Sequence, residues 1–246
     1  MVFSFYYTDK IALMVQENNP IMQQIKDIKP EKEENYVNAI IDDDKIIPGK
    51  NGLTINVEKS FSVMKSFNAF NSYYLIYDQK KPKISLEDNK DKIITSGNLS
   101  NKNMTIIIEY GEDLVKYLES NNIKSDVLIN KDNYIKVNKL EMINDDFDNY
   151  NEIEIMLNRS KMNNNLCIVN KSNIDFCKKR NKYLIETELV LTNDNVFNVK
   201  NNIKNGSIVI VKKDTNINNL KIIIDQARFK GLDLVYLSKL ISEENK

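Results

Sequence analysis

The sequence contains no histidine among its 246 residues. This absence excludes every mechanism that uses an imidazole as acid, base or metal ligand, including histidine-paired serine and cysteine nucleophiles. Tryptophan is also absent, and glycine is scarce, with six scattered residues. They form neither a G-x-G-x-x-G pattern nor a Walker loop, and no G-x-S-x-G motif is present. No motif therefore points to a nucleotide-binding enzyme or a serine hydrolase.

The chain has no excess charge of either sign, since 35 basic residues balance 35 acidic ones. A protein that binds nucleic acids or anionic membranes needs a cluster of positive charge on its surface. We therefore expect neither as a general partner. No run reaches the roughly 18–20 apolar residues that a membrane span needs. Residues 1–7 are apolar and aromatic, and two interpretations stay open. The segment is either a short buried N-terminal piece or the outer end of a membrane anchor.

Cysteine is limited to Cys167 and Cys177. Their spacing is not C-x-x-C, and no histidine is available to complete a mixed zinc site. Outside the cytoplasm the two residues could form one disulfide that closes a short loop, and inside it they would be buried thiols.

Proline is confined to the first third of the chain, up to Pro82. The pattern changes in the same part of the sequence, and we place a boundary at Gly97-Asn98, between an N-terminal α+β region (1–97) and a second domain (98–246). The elements predicted before the boundary are a helix over 11–28 interrupted at 18–20, a hairpin of 36–41 and 45–47, a strand at 53–57, a helix at 59–67 and a strand at 73–77.

After the boundary, strand and helix patterns alternate. The predicted strands are 104–108, 125–129, 153–157, 166–169, 183–191, 207–211 and 234–236, the predicted helices are 112–121, 173–181, 196–203, 216–229 and 238–242, and an acidic turn is predicted at 144–151. Repeated β/α units of this size imply a parallel sheet or a barrel. About 145 residues is short for a complete eight-fold barrel.

Sequence motifs at both ends of this domain resemble one family. They are MTIIIEYG (104–111), NNIKSDVLI (121–129), GSIVIVKKD (206–214) and KGLDLVYLSKLIS (230–242). Their order and spacing resemble those of NodB-type polysaccharide deacetylases. The resemblance covers residues 104–242 and implies a shortened or degenerate (β/α) barrel of that type, preceded by a small α+β region.

Segments of the N-terminal region resemble the lead-in of deacetylase-like proteins from clostridia. Among them are VNAII (37–41) and IIPGKNG (46–52). Those proteins are anchored at the outer face of the membrane. The resemblance therefore implies an extracytoplasmic location at the cell envelope and favours the anchor interpretation of residues 1–7.

The residues that this family uses for catalysis are changed here. The family hydrolyses the N-acetyl amide of a sugar with a metal held by one Asp and two His, an Asp base and a further His as acid. The paired Asp match Glu109 and Tyr110, and the acid His and its Asp match Lys212 and Lys213. The segment of the two ligand His falls within 140–162. That segment has no imidazole and offers Asp145, Asp146, Asp148, Glu152 and Glu154. We therefore expect zinc to be absent.

Several residues could serve a remaining function. We expect Glu109 and Lys212 to form an ion pair across the barrel mouth. The acidic turn at 145–148 could offer oxygen ligands to calcium or magnesium, but its spacing is not that of an EF-hand, and an exposed turn is the favoured interpretation. Candidate residues for stacking on a sugar, each with a half-buried structural role as the alternative, are Tyr110, Tyr134, Tyr150 and Tyr183.

Three hypotheses about function follow. The first is a catalytically inactive deacetylase-like protein that binds a cell-wall glycan or serves as a scaffold at the cell envelope. The second is a protein interaction module in which residues 1–97 bind an envelope protein. The third is a surviving deacetylase with an altered metal site, which would depend on Glu109.

Overall fold

The computed structural model describes residues 18–134, 137–162 and 164–245. Segment 1–7 and the start of the helix predicted at 11–28 lie outside these ranges. The strands are β1 Ile40–Asp42, β2 Lys45–Ile47, β3 Gly52–Ile55, β4 Tyr77–Lys80, β5 Ile93–Ile94, β6 Asn103–Glu109, β7 Asp126–Ile129, β8 Glu141–Asn144, β9 Leu166–Ile168, β10 Tyr183–Ile185, β11 Val190–Leu191, β12 Ile208–Val211 and β13 Asp233–Leu234. The helices are α1 Pro20–Lys32, α2 Val57–Lys65, α3 Glu112–Ser120, α4 Tyr150–Arg159, α5 Ile174–Lys179, α6 Val196–Asn202, α7 Ile217–Phe229 and α8 Leu237–Leu240.

The chain forms two compact units. The first contains the described residues up to Val37, the segment Lys50–Lys83 and the residues from Glu244, and the second contains Asn38–Gly49 and Ile84–Glu243. This division differs from a single cut after residue 97. The reason is strand pairing, because β1, β2 and β5 precede residue 98 and yet share a sheet with β10 and β9.

The first unit packs two helices on the antiparallel pair β3–β4. Helix α1 begins at Pro20, whose missing N–H suits the first helical position, and the Asn19 side chain accepts a hydrogen bond from Ile21 N at 2.9 Å. The buried core of this unit consists of Ile21, Met22, Ile25, Ile55, Phe61, Met64 and Leu75.

The second unit contains two sheets. One has the order β1-β2-β5-β10-β9, and the other has the order β11-β12-β6-β7-β8, with β13 paired to β6. Every pair is parallel except the β1–β2 hairpin. The predicted parallel β/α organisation is therefore confirmed. Within the described residues the barrel does not close, because β8 and β9 pair in different sheets.

Side chains of the central strand β6 alternate between two cores, as the two-residue period of a strand requires. Ile106 and Ile108 join a core that includes residues of the surrounding helices, such as Leu114. Ile107 joins a second core that α8 covers with Leu237 and Leu240. Residues on the Ile107 face therefore point into the open barrel.

Three predicted elements were wrong. Residues 153–157 lie in helix α4, because Ile153 and Leu157 are four residues apart and both buried on one helix face. The strand of that β/α unit is β8, just upstream. Residues 72–74 form a 3₁₀ turn before β4, and the strand predicted at 183–191 is divided into β10 and β11, which pair in different sheets.

A disulfide joins Cys167 in β9 to Cys177 in α5, and both residues are fully buried. The sequence left open whether the two cysteines form a disulfide or stay buried thiols, and in the structure they form a disulfide. Among the described residues, no helix is long and apolar enough to cross a membrane.

Candidate functional site

The predicted ion pair is present at the carboxyl-terminal edge of the larger parallel sheet. Glu109 ends β6 and Lys212 follows β12, and these strands run in register with Val211 opposite Ile108. Lys212 Nζ lies 2.6 Å from Glu109 Oε1. The other oxygen, Glu109 Oε2, accepts a hydrogen bond from the backbone N–H of Lys213 at 3.2 Å. Both carboxylate oxygens of Glu109 therefore have a donor from the chain itself.

A third charged group is coupled to this pair. Asp145 follows β8 at the same edge of the sheet. Burial raises its pKa to about 6, and the negative charge of Glu109 acts in the same direction, while Lys212 opposes both. Asp145 therefore adds a second carboxyl group beside the pair, and the Lys212 ammonium already has Glu109 as its carboxylate partner.

Tyr110 does not join this group of charges. It is the next residue after Glu109, so it points to the opposite face of β6, where it packs against the core on the helix side of the sheet. Glu109 and Lys212 meet, whereas Tyr110 lies behind the sheet.

The acidic segment after β8 has local structural roles. Asp146 accepts hydrogen bonds from the backbone N–H groups of Lys131, at 3.0 Å, and Asn149, at 2.9 Å. Burial would raise the pKa of Asp146, but these hydrogen bonds outweigh it and hold the pKa below its usual value. Asp146 thus organises the loop that leads into α4.

Two acidic residues of α4 are engaged in ion pairs. Glu152 lies 2.9 Å from Lys131 Nζ, and Glu154 lies 2.7 Å from Lys182 Nζ, which is almost fully buried. Each of these carboxylates therefore neutralises a neighbouring lysine.

A resident zinc ion does not fit these residues. In the described part of the chain, no group of three His, Cys, Asp or Glu side chains could hold a metal ion. At the sheet edge, the Lys212 ammonium already neutralises Glu109 and would repel a cation placed beside it. The donor set at this edge therefore suits a salt bridge rather than a metal centre.

The four tyrosines predicted to stack on sugars differ in accessibility. Tyr150 is buried, with the Arg180 guanidinium 5.2 Å from its ring centroid, so it cannot offer a ring to a ligand. Tyr134 is partly buried against the helix-side core, as Tyr110 is. Tyr183 is also partly buried, and Lys90 Nζ lies 5.3 Å from its ring centroid. Tyr150 therefore has the structural role that was the alternative to sugar stacking. Tyr110, Tyr134 and Tyr183 are each packed against a core and partly exposed.

Known proteins resemble this chain in sequence and in fold. No family model matches the sequence. The uncharacterized protein YlxY of Bacillus subtilis (strain 168) is 32% identical over 114 residues, which are 44% of this chain and 36% of that relative. The chain thus matches about a third of the length of this curated relative.

Solved structures cover far more of the molecule. The wild-type CE4 family pseudoenzyme BA3943 from Bacillus anthracis superimposes with a TM-score of 0.63 over 92% of this chain and 96% of its own, at 17% identity. A mutant of that pseudoenzyme with restored enzymatic activity gives a TM-score of 0.61 over 92% of this chain and 99% of its own, at 16% identity. This chain has the CE4 fold.

The resemblance to NodB-type polysaccharide deacetylases, which form the CE4 family, is thereby confirmed at the level of the fold. In this CE4 fold, the motifs MTIIIEYG and GSIVIVKKD form β6 and β12, two neighbouring strands. Their pairing brings together Glu109 and Lys212, the residues that the sequence motifs predicted to stand in place of an Asp and of the acid His of the family.

Sequence motifs did not predict a second pair of acidic residues, which lies near the opposite end of the strands. Asp126 in β7 lies directly across from Glu141 in β8. Asp126 Oδ2 accepts hydrogen bonds from Thr105 Oγ1 at 2.9 Å and from Leu237 N at 2.8 Å. Ser238 Oγ donates to Glu141 Oε1 at 2.6 Å. The sequence held a signal for this pair. Asp126 lies two residues before Leu128 and Glu141 two residues before Ile143, so each acidic side chain is on the same strand face as a core residue.

Proposed function

We propose that this chain is a catalytically inactive deacetylase-like protein that binds a glycan at the cell envelope. The observation that carries the proposal is the 2.6 Å ion pair between Glu109 and Lys212. Metal-assisted amide hydrolysis needs a Lewis acid to polarise the carbonyl and a free base to activate water. Here Glu109, which the motifs match to one of the family's paired Asp, is neutralised by an ammonium group.

Two further observations support the proposal. A CE4 pseudoenzyme shares this fold over most of both chains, so the fold persists in at least one protein described as inactive. The Cys167–Cys177 disulfide suits an oxidising compartment, which is where disulfides persist. The second observation supports the envelope location and has no bearing on catalysis.

The test combines a metal titration with a glycan titration on the full chain. Isothermal calorimetry with zinc should give no stoichiometric binding. Adding N-acetylglucosamine oligomers to the ¹⁵N-labelled protein should shift amide signals equally with and without a chelator. Glycan binding that requires zinc would contradict the proposal, because it would show that a metal centre still assembles.

A Lys212→Met variant is the matched comparison for the metal titration. It removes the ammonium group and leaves Glu109 and Asp145 in place. If the lysine is what excludes cations, this variant should bind divalent ions more strongly than the wild type. Equal zinc binding by the two proteins would assign the exclusion to another feature.

A further inference from the structure

The first unit carries a loop with exposed aromatic rings. Residues 66–74, which we call the aromatic loop, connect α2 to β4 and include Phe67 and Tyr73. The exposed fractions of these two residues are 60% and 86%. Large aromatic side chains contribute strongly to binding when covered, so a cluster of them in solvent indicates a recognition surface.

The exposed rings of the aromatic loop contact the ring of Tyr74. Phe67 stacks on Tyr74, with centroids 5.2 Å apart and planes at 11°, and Tyr73 meets Tyr74 edge-on at 5.5 Å. Tyr74 is partly buried against the core of the first unit. The two exposed rings therefore rest on a ring that the core fixes.

Local hydrogen bonds fix the backbone of the same loop. Ser66 Oγ donates to Val63 O at 2.7 Å where α2 ends, and Asn71 Oδ1 accepts from Tyr73 N at 2.9 Å at the start of the 3₁₀ turn. Behind the loop, buried Ser60 accepts from Ile76 N at 2.9 Å. A ligand would find the rings already positioned and would pay little ordering entropy.

The chemistry around the rings is neutral and polar. No Lys, Arg, Asp or Glu occurs from residue 66 to residue 77, although 28% of the whole chain is charged. The exposed neighbours of the rings are Asn68, Asn71 and Ser72, which supply amide and hydroxyl groups. The flanking charges are also partnered, since Lys59 pairs with Asp78 and Lys65 lies over the Phe61 ring.

We infer that the aromatic loop is a binding surface for a neutral polysaccharide, which stacks pyranose rings on Phe67 and Tyr73. A pyranose presents an apolar face of C–H groups surrounded by hydroxyls, and this loop presents aromatic faces surrounded by amides and hydroxyls. The inference rests on the proposed glycan-binding function and names where in the chain the glycan is held.

Other partners fit the surface less well. A stable protein interface uses about 20–30 residues a side, and this loop is far smaller. Insertion into a lipid bilayer would bury the amides of Asn68 and Asn71 without hydrogen-bond partners, which costs free energy. A polysaccharide satisfies the rings and the amides together.

The test is a binding titration of the full chain with N-acetylglucosamine oligomers, which are neutral. Tyr73→Ala and Phe67→Ala should each raise Kd by about tenfold, the change expected when roughly 1.4 kcal/mol of contact is lost. Tyr73→Phe, which keeps the ring, should stay within about threefold of the wild type. Phe229→Ala is the matched control, because Phe229 lies in the second unit, is 85% exposed and stacks on no aromatic ring of the described residues, and it should change nothing.

The outcomes separate this inference from the proposed function. If the wild type binds glycan and both alanine variants bind equally well, the aromatic loop is not the site, while glycan binding itself stands. If the wild type binds no glycan, the proposed glycan-binding function fails with it. If lipid vesicles bind instead and Tyr73→Ala abolishes that binding, the surface belongs to a membrane and the inference is overturned.

Discussion

Asp126 and Glu141 lie directly opposite each other in the parallel strands β7 and β8, and the Asp126 side chain is fully buried. Asp126 Oδ1 and Glu141 Oε2 are buried, and no donor from the described residues reaches either of them. A proton on one of the two carboxyls would supply the missing donor and would remove one of two adjacent negative charges.

This pair makes stability depend on pH. Burial and the charge of Glu141 raise the pKa of Asp126 well above its usual 3.8, against the hydrogen bonds from Leu237 and Thr105. The folded state therefore holds a proton that the unfolded chain releases, so this contribution is complete below pH 3.8 and is lost as the pH rises through the folded pKa.

The Asp126→Asn variant tests this directly, since its amide keeps the shape and can donate to Glu141. Thermal unfolding followed by circular dichroism from pH 4 to pH 9 should show a smaller fall of Tm with pH in the variant than in the wild type. Parallel Tm curves for the two proteins would mean that the carboxyl pair holds no proton.

Asp145 should titrate near pH 6, about two units above an ordinary aspartate. Because Glu109 raises this pKa and Lys212 lowers it, Glu109→Gln should shift the midpoint down and Lys212→Met should shift it up. Carboxyl ¹³C chemical shifts followed by NMR report the midpoint in each protein. Shifts of the same sign in both variants would show that Asp145 does not sense the ion pair.

Gly206 occupies a position that no other residue fits. Its φ is +80°, and an added Cβ would clash with the carbonyl oxygen of Gly97. Gly206→Ala should therefore cost the strain of the left-handed backbone, about 1–2 kcal/mol, and a further penalty of about 1–3 kcal/mol for the clash. Urea denaturation measures the loss of unfolding free energy.

Gly231 provides the comparison for that measurement. Its φ is +67°, but nothing lies within 4 Å of the position of an added Cβ. Gly231→Ala should therefore lose only the backbone part, about 1–2 kcal/mol. Equal losses for the two variants would show that the contact with Gly97 relaxes freely.

Sequence motifs could predict the ion pair because it joins two motifs whose order and spacing resemble one family. Glu109 and Lys212 each end a long buried apolar run, and neighbouring parallel strands bring such ends together. The carboxyl pair could not be predicted in the same way. It depends on the register between β7 and β8, and β8 was missing from the prediction.

The spacing of apolar residues gave a wrong prediction where it is compatible with both a strand and a helix. The apolar residues from Ile153 to Leu157 suit a strand or one face of a helix, and the packing of α4 beside β8 decides for the helix. In the first unit's aromatic loop, Tyr73 and Tyr74 were predicted as the start of a strand, and they lie in a 3₁₀ turn. Exposure, which only the fold reveals, distinguishes Tyr73 from a buried strand residue.

We propose that this chain does not catalyse deacetylation. Acetate released from N-acetylglucosamine oligomers by the purified chain, with zinc supplied, measures this most directly. We predict no release above the rate of the Glu109→Ala variant, because Lys212 neutralises the carboxylate at the sheet edge. Turnover by the wild type that Glu109→Ala abolishes would contradict the claim and would assign the chain to the active deacetylases.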